Sequence, residues 1–418
     1  AKVRQICESG FQGCSKLSSI EFCQGSEIEN IDKFAFSGTS ISNIIIPSRV
    51  RKINESVFSD CKNLKSVEFL PDSSIETIEK NAFYISQLSK LIITEKVKEL
   101  KEGWCNGTPK LNDIEISSNN QHFVMYDNEF IIGQQNKENE ENLENLDNLE
   151  DKEKEVKFDT IYFARRNIRE ANIPKFIKVI SSYSFSECQE LNEMNILNNS
   201  ELETIEKYSF FKSSIQNIVI PPSVTHIKES AFSECRKLKV VKFQGNSNLQ
   251  FIGKQAFSGC PLKSITIPSA VQFIDESSFF NCKYLKTVEI PANSELFSIG
   301  NLAFSKCPIE KITIPSSVVK IGKFCFRYCK KLTSVEFPPN SQLRTIDSSA
   351  FYDTSLVSIS IPTTVTRIGE FAFSECKSLK TVKISIISEL KSIGSFAFSN
   401  ASLRSISIPS NVAIISEG

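Results

Sequence analysis

Cysteine is the residue type in this sequence that is best suited to chemistry. The chain of 418 residues has 13 cysteines but only 2 histidines. Most of the cysteines follow a phenylalanine by three residues, in a recurring Phe-x-x-Cys motif. The members of this Cys column are Cys14, Cys61, Cys188, Cys235, Cys260, Cys282, Cys307, Cys329 and Cys376. Thiols at a regular spacing suggest three chemistries, namely disulfide bonds, metal binding and nucleophilic catalysis.

Each of these chemistries meets an obstacle in the sequence. A catalytic thiol needs a histidine partner, and neither His122 nor His226 recurs beside the column. No Cys-x-x-Cys pair is present for zinc, and the number of cysteines is odd. Stacked repeats about 4.8 Å apart would hold their Cβ vectors parallel, outside the usual disulfide separation. Repeats without cysteine have threonine, serine or alanine at this position, so we predict a small, buried position occupied by free thiols.

The cysteines belong to a repeat that covers nearly the whole chain. Its anchor is a phenylalanine, and successive anchors are separated alternately by 25 and 22 residues. This Phe column comprises Phe11, Phe36, Phe58, Phe83, Phe185, Phe210, Phe232, Phe257, Phe279, Phe304, Phe326, Phe351, Phe373 and Phe398. Between Phe83 and Phe185 the same repeat spacing continues through Cys105 and Phe130. The segment between Phe130 and Ile173 then contains 33 residues more than this spacing allows. The spacing therefore predicts about 16 repeats with one insertion.

Each repeat contains one segment typical of a β-strand. The consensus reads Leu-x-x-Ile-x-Ile-Pro, then Ser-Ser-Val-x-x-Ile-Gly, then x-x-Ala-Phe-x-x-Cys. The Ile-x-Ile alternation of β-branched residues predicts a short strand with one buried face, and the proline that follows, as at Pro268, ends it. A repeat of this size cannot bury its apolar side alone. We therefore predict a β-rich solenoid in which stacked repeats bury continuous columns of Leu, Ile, Val and Phe.

The repeat resembles a known family. Leu-x-x-Ile-x-Ile-Pro followed by Val-x-x-Ile-Gly-x-x-Ala-Phe-x-x-Cys is similar to the consensus of the BspA-like, Treponema-type leucine-rich repeat. The Asn-, Lys- and Glu-rich spacers are similar to copies in parasitic protozoa such as Trichomonas. The resemblance implies a surface or secreted adhesion protein that binds host or matrix proteins.

The insertion divides the chain into three segments. Residues 1–130 are N-terminal repeats, residues 131–163 are a hairpin insertion, and residues 164–418 are C-terminal repeats of the same continuous solenoid. The hairpin carries an acidic, low-complexity loop at 134–157, for which two interpretations remain open. We expect a solvated loop, because so few apolar groups cannot offset the entropy of ordering. The alternative is an acidic docking segment whose leucines form a short helix on a partner.

The middle residue of each Ile-x-Ile strand should point outward, on the concave side of the solenoid. In the N-terminal repeats these residues alternate between glutamate and isoleucine, and they are our candidate protein-binding residues. They are Glu21, Ile45, Glu68, Ile92 and Glu115. One interpretation is that the alternation merely separates like charges on adjacent strands. The other is that solvent-facing isoleucines, which folding does not need, contact a basic and partly apolar partner.

The composition and motifs argue against nucleic-acid binding, a membrane span and catalysis. The 49 Lys and Arg balance the 49 Asp and Glu, so no net charge attracts nucleic acid. No apolar run is long enough for a membrane span, and no signal peptide is visible at the start. We find no phosphate-binding glycine loop, histidine cluster or nucleophile elbow, and therefore predict no catalytic, cofactor-binding or metal site.

These observations lead to two functional hypotheses. The first is a non-enzymatic protein-binding solenoid, at the cell surface or secreted, with adhesion implied by the resemblance. The second is an intracellular scaffold that binds cytosolic or cytoskeletal proteins, which fits free thiols in a reducing compartment. Exposed apolar columns and strand edges at terminal repeats also suggest end-to-end self-association.

Overall fold

The computed structural model describes residues 2–134 and 158–417, and residues 135–157 of the predicted acidic loop lie outside that part. The chain divides into two compact units. Unit 1 comprises Ala1–Ile168 and Phe176–Glu190, and unit 2 comprises Arg169–Lys175 and Leu191–Gly418. Each unit is a parallel β-solenoid, and together they make about 17 turns, or rungs, of roughly 23 residues. The described residues include no helix long and apolar enough to cross a bilayer.

All regular elements in the described residues are strands, most of them two to four residues long. Those up to residue 190 are β1 (Gln5–Ile6), β2 (Asn30–Ile31), β3 (Asn43–Ile46), β4 (Lys52–Ile53), β5 (Ser66–Phe69), β6 (Thr77–Ile78), β7 (Lys90–Ile93), β8 (Glu99–Leu100), β9 (Asp113–Ile116), β10 (Phe123–Tyr126), β11 (Phe130–Gly133), β12 (Thr160–Ala164), β13 (Glu170–Ile173) and β14 (Val179–Ile180). The strands after residue 190 are β15 (Glu193–Ile196), β16 (Thr204–Ile205), β17 (Asn217–Ile220), β18 (His226–Ile227), β19 (Val240–Phe243), β20 (Phe251–Ile252), β21 (Ser264–Thr266), β22 (Phe273–Ile274), β23 (Thr287–Glu289), β24 (Ser298–Ile299), β25 (Lys311–Thr313), β26 (Lys320–Ile321), β27 (Ser334–Glu336), β28 (Thr345–Ile346), β29 (Ser358–Ile361), β30 (Arg367–Ile368), β31 (Thr381–Ile384), β32 (Ser392–Ile393), β33 (Ser405–Ile406) and β34 (Ile414–Ile415).

In unit 1 the predicted Ile-x-Ile strands pair in parallel. The strands β3, β5, β7 and β9 form a four-stranded sheet in that order. Inward residues share a register, as in Ile44↔Val67 and Leu91↔Ile114, and these four are buried. A second column of two-residue strands, which includes β4, β6 and β8, forms in the Val-x-x-Ile segment of each rung. The prediction of the main strands is confirmed, whereas this second column was not predicted.

The segment around the insertion is a hairpin rather than a rung. The strands β10, β11 and β12 pair antiparallel, and β12 then pairs in parallel with β14. Asp127 and Asn128 have φ angles of 51° and 57°, the backbone of a tight hairpin turn. This turn reverses the chain, so Phe130 lies in β11 and not in a rung turn. The prediction of a rung turn at Phe130 was therefore wrong, although the buried Phe130 ring still packs 5.8 Å from the ring of Phe185 in the Phe column.

Unit 2 repeats the same architecture with high regularity. Its main strands form the parallel sheets β13–β15, β17–β19, β21–β23–β25–β27 and β29–β31–β33. Its short strands pair in the order β16, β18, β20, β22, β24, β26, β28, β30, β32 and β34. Every short strand from β16 to β32 places a buried isoleucine inward. The rungs thus bury one continuous core between the two strand columns and the turns.

The Phe column fills the turn side of this core. In unit 2 the stacked rings run from Phe210 to Phe398, with neighbouring centroids as close as 4.9 Å for Phe210 and Phe232. In unit 1 the same stacking joins Phe11, Phe36, Phe58 and Phe83. The backbone reinforces the column, because most of its Phe N–H groups donate to a carbonyl of the next rung. For example, Phe232 N lies 2.8 Å from the Ala256 oxygen.

Candidate binding face

The four-stranded sheet of unit 1 brings together four of the five predicted binding residues. Ile45, Glu68, Ile92 and Glu115 are the outward residues of β3, β5, β7 and β9. The strand register pairs Ile45 with Glu68 and Ile92 with Glu115. Because strand side chains alternate between faces, burial of the flanking apolar residues forces these four outward. We call this row the outward face of unit 1.

The two isoleucines of this face are exposed to solvent. Ile45 is 53% exposed and Ile92 is 38% exposed, whereas the adjacent Ile44 is only 2% exposed. Glu68 and Glu115 are also exposed. The face therefore alternates apolar surface with carboxylates at the spacing of neighbouring strands, about 4.8 Å. Such a surface can bury apolar area against a partner while pairing its charges with cations.

A second row of outward side chains, formed by the first residues of β3, β5, β7 and β9, lies beside this face. Its polar side chains bond mainly to one another. Ser66 Oγ donates a hydrogen bond to Asn43 Oδ1 at 2.9 Å, and Lys90 Nζ lies 3.6 Å from Asp113 Oδ2. Exposed ion pairs of this kind contribute little to stability. The lysine is directed at Asp113, so its charge is partly compensated within its own row. The apolar and acidic character of the neighbouring row is therefore preserved.

Glu21 departs from the prediction. The segment Ile20–Glu21–Phe22 is not a strand, and β3 is the edge of its sheet. The physical reason lies in the inward anchors, since Ile20 and Phe22 are only partly buried, whereas Ile44 and Ile46 are fully buried. A turn closed by Ser26 N and the Cys23 oxygen also begins directly after Phe22. Glu21 is exposed but does not extend the strand row.

A surface cavity connects Glu21 to the outward face. It has a volume of about 680 Å³, and Glu21, Phe22, Ile45 and Leu70 are among the residues that line it. Leu70 is 39% exposed and follows β5 in a turn, so no strand periodicity marked it as a surface residue. Sequence reasoning missed Phe22, Leu70 and the cavity. The signal that could have found Leu70 is an apolar residue where most repeats have proline.

The Cys column is buried, as predicted, except at Cys14. The other eight column cysteines are buried and free, whereas Cys14 is exposed in a rung whose Phe11 is itself only partly buried. The buried thiols share one contact, because each donates to a carbonyl oxygen of the preceding rung. Cys61 Sγ lies 3.1 Å from the Phe36 oxygen, and Cys282 Sγ lies 3.2 Å from the Phe257 oxygen.

Burial makes these thiols poor nucleophiles. Desolvation raises the pKa of Cys235 to about 12. It raises the pKa of Cys105 to about 11, although Arg166 Nη2 lies 3.2 Å from its sulfur and favours the thiolate. A reactive cysteine requires the opposite environment, exposed and electropositive. In residues 2–134 and 158–417, no three His, Cys, Asp or Glu side chains are grouped to hold a metal ion.

Three bacterial proteins of known structure are similar in fold to this chain. A leucine-rich-repeat protein of Bacteroides ovatus is 24% identical, with a TM-score of 0.53, over 89% of this chain and 76% of that one. A leucine-rich cell surface protein of Faecalibacterium prausnitzii is 21% identical, with a TM-score of 0.51, over 80% and 69%. The pneumococcal vaccine antigen PcpA is 18% identical, with a TM-score of 0.50, over 97% and 78%. A search of curated proteins gives no match.

The family model that matches describes a BspA type leucine-rich repeat region. It matches in six copies, over residues 4–127, 156–286, 250–360 and 297–418. These ranges cover most of the chain, and they include the rungs that form both strand columns and the Phe column. The chain therefore belongs to the BspA-type leucine-rich-repeat family.

Proposed function

We propose that this protein is a non-enzymatic protein-binding solenoid whose contact surface is the outward face of unit 1. The observation that carries this proposal is the exposure of Ile45 and Ile92 on strands β3 and β7, whose inward residues are all buried. Apolar side chains that add nothing to the core gain free energy when a partner covers them, about 25 cal/mol for each Å² removed from water.

The partner should be basic and partly apolar. Glu68 lies beside Ile45 in the strand register, and Glu115 lies beside Ile92. Glu21 adds a third carboxylate at the rim of the cavity next to Ile45. Lysine or arginine side chains interspersed with apolar ones on the partner would match this pattern. The charge pairs would mainly steer association and fix its register.

We place this activity at the cell surface, as adhesion to a host or matrix protein. Two similar structures are named as a cell surface protein and a vaccine antigen, which supports that location. A second candidate is an intracellular scaffold for cytosolic or cytoskeletal proteins. The free thiols favour it, because Cys7, Cys14 and Cys23 are exposed and reducing compartments keep such thiols unpaired. The protozoan source stays a prediction.

The test compares two sets of outward variants for binding to immobilised proteins. One panel holds purified extracellular matrix proteins, and a second holds actin and tubulin. The double variant Ile45→Lys/Ile92→Lys should weaken binding to the recognised protein at least tenfold, because it removes apolar area and repels a basic partner. Val219→Lys is the matched control, since Val219 is a similarly exposed outward residue of β17 in unit 2.

The panel to which the protein binds distinguishes adhesion from the intracellular scaffold. Binding to the matrix panel supports adhesion, and binding to the cytoskeletal panel supports the scaffold. If the double variant binds as tightly as the parent, or if Val219→Lys weakens binding equally, the outward face of unit 1 is not the contact surface.

A further inference from the structure

Unit 2 carries aromatic side chains on the outward side of its short-strand column, two of them half-buried and two exposed. His226, Phe251 and Phe273 are the outward residues of β18, β20 and β22 and are partners in the parallel register. In the next rung Ser298 of β24 is aligned with Phe273, and Phe297, one residue earlier, occupies the position aligned with Gln272. The ring centroids of His226 and Phe251 are 6.3 Å apart, and those of Phe273 and Phe297 are 6.2 Å apart. We call these four residues the aromatic stripe.

The stripe is not required by the packing of the solenoid. Phe273 is 42% exposed and Phe297 is 50% exposed, whereas the inward isoleucine beside Phe273, Ile274, is 1% exposed. Aligned positions on later rungs hold ordinary polar residues such as Lys320 and Thr345, in the same register. The rungs therefore stack equally well without aromatic rings at this position. Four consecutive rungs nevertheless present one ring each.

Uncharged hydrogen-bonding groups accompany the rings. Thr225, Gln250 and Gln272 each precede a ring of the stripe, and the main chain aligns them. Gln250 N donates to the Thr225 oxygen at 2.9 Å, and Gln272 N donates to the Gln250 oxygen at 2.9 Å. Thr225 Oγ1 also lies 2.9 Å from His226 Nδ1, which orients that ring. The two glutamine amides offer both donors and acceptors next to the aromatic faces, and Gln272 Nε2 already donates a long hydrogen bond of 3.4 Å to Glu295 Oε2.

The charge pattern restricts the class of ligand. The two outward positions in each of these four rungs contain no Lys, Arg, Asp or Glu, and the nearest charged residues in the same rows are Glu203 and Lys320. A single-stranded nucleic acid stacks on aromatic rings but also needs cations along its backbone, which these positions lack. The aligned amides are unsuited to a lipid surface, because they would lose their hydrogen bonds with water.

We propose that the aromatic stripe is a binding site for a neutral, linear glycan that lies across the rungs. Each pyranose ring has a face of C–H bonds, slightly positive, that stacks on the negative face of an aromatic ring. Its edge carries hydroxyl groups that exchange hydrogen bonds with glutamine amides and the threonine hydroxyl. Rungs repeat about every 4.8 Å, roughly the length of one sugar ring. A regular polymer therefore presents the same two surfaces to the three rungs that pair a ring with Thr225, Gln250 or Gln272, and the next sugar ring meets Phe297, which itself occupies the position aligned with Gln272.

The experiment titrates the full chain with neutral hexasaccharides of glucose, mannose and N-acetylglucosamine and measures binding by calorimetry. We expect at least one of them to bind. The variant Phe273→Ser/Phe297→Ser should weaken that binding at least tenfold, with an unchanged melting temperature because both rings are exposed. Phe396→Ser is the matched control, since Phe396 is a similarly exposed ring that stacks on Phe371 in another part of unit 2. It should bind like the parent.

A second variant distinguishes a glycan site from a merely apolar surface. Gln272→Leu preserves size and adds apolar surface, so it should weaken glycan binding at least threefold while leaving any purely apolar association intact or stronger. The proposal is overturned if no neutral hexasaccharide binds, or if both variants bind like the parent. Binding of a proline decamer in place of the sugars would also overturn it and would assign the stripe to a proline-rich peptide.

Discussion

The sulfur of Cys235 donates a hydrogen bond to the backbone carbonyl oxygen of Phe210, one rung earlier, at 2.9 Å. Cys376 makes the same contact with the Phe351 oxygen at 3.1 Å. The contact explains why the column accepts cysteine, because a thiol fills a small buried space and, at Cys235, adds a second hydrogen bond to a carbonyl that already accepts one from Ser213 N at 2.9 Å. The column is thus a structural feature of rung stacking, and its chemistry follows from its burial.

Burial predicts which thiols react in the folded protein. Cys7, Cys14 and Cys23 are exposed, and the other ten cysteines are buried. At pH 8 a thiol reagent should label the three exposed residues rapidly and the remainder only after denaturant is added. Mass spectrometry of the labelled peptides identifies the sites. Rapid labelling of Cys235, or a Cys235–Cys260 disulfide in a non-reduced sample, would contradict this prediction.

The raised pKa of Cys235 predicts a loss of stability at alkaline pH. Folding raises this pKa to about 12, above the value of about 8.5 in the unfolded chain. The folded state keeps the proton, so its stability is fully present below pH 8.5 and declines as the pH rises toward the folded pKa. Between pH 8.5 and 10 the parent should lose about 2 kcal/mol more than Cys235→Ser, as measured by urea unfolding. Ser86 is fully buried at this position in its own rung, so serine is a suitable control. Equal losses in both proteins would contradict the prediction.

Adjacent isoleucines on β3 should respond oppositely to the same substitution. Ile44 is buried and Ile45 is exposed. Ile44→Lys should lower the free energy of unfolding by at least about 3 kcal/mol, because it removes core volume and buries an unpaired charge. Ile45→Lys should change it by no more than about 0.5 kcal/mol. Urea unfolding of the two variants measures the difference. Similar losses would show that the side chains do not alternate between core and solvent as described.

The glycine of the Val-x-x-Ile-Gly motif should not tolerate a side chain. A Cβ at Gly369 would lie 2.5 Å from Ser348 N and 2.6 Å from the Asp347 carbonyl carbon, both in the backbone of the preceding rung. Gly369→Ala should therefore destabilise the protein by about 1–3 kcal/mol, because neither atom can move without disturbing the stack. Gly245→Ala is the control, since a Cβ there would meet nothing within 4 Å. A Gly369→Ala protein with the parent's urea midpoint would contradict the close approach of the rungs.

The sequence alone determined the repeat, its strand and its two buried columns. Residues at the positions of Ile44, Phe257 and Cys282 recur at fixed distances. Ile44 pairs with Val67 in the next rung, and the ring of Phe257 stacks on that of Phe279. In a solenoid every rung packs on its neighbours in the same way, so residues that recur at a fixed interval in the sequence contact one another in the structure. The outward direction of Ile45 and Ile92 followed from the two-residue period of a strand. The second strand column was not predicted, because only its isoleucine points inward and two residues show no period.

Tertiary structure decided the places where one rung differs from its neighbours. Whether Ile20–Phe22 forms a strand depends on how deeply its anchors are buried. Phe130 lies in a strand instead of a rung turn because a turn at Asp127 and Asn128 reversed the chain. The aromatic stripe likewise emerged only from the strand register, since its four rings are separated by 22 to 25 residues in sequence. Local sequence patterns indicate which backbone conformation a residue favours. Its burial and its strand register also depend on the residues of the neighbouring rung, which are in place only in the folded solenoid.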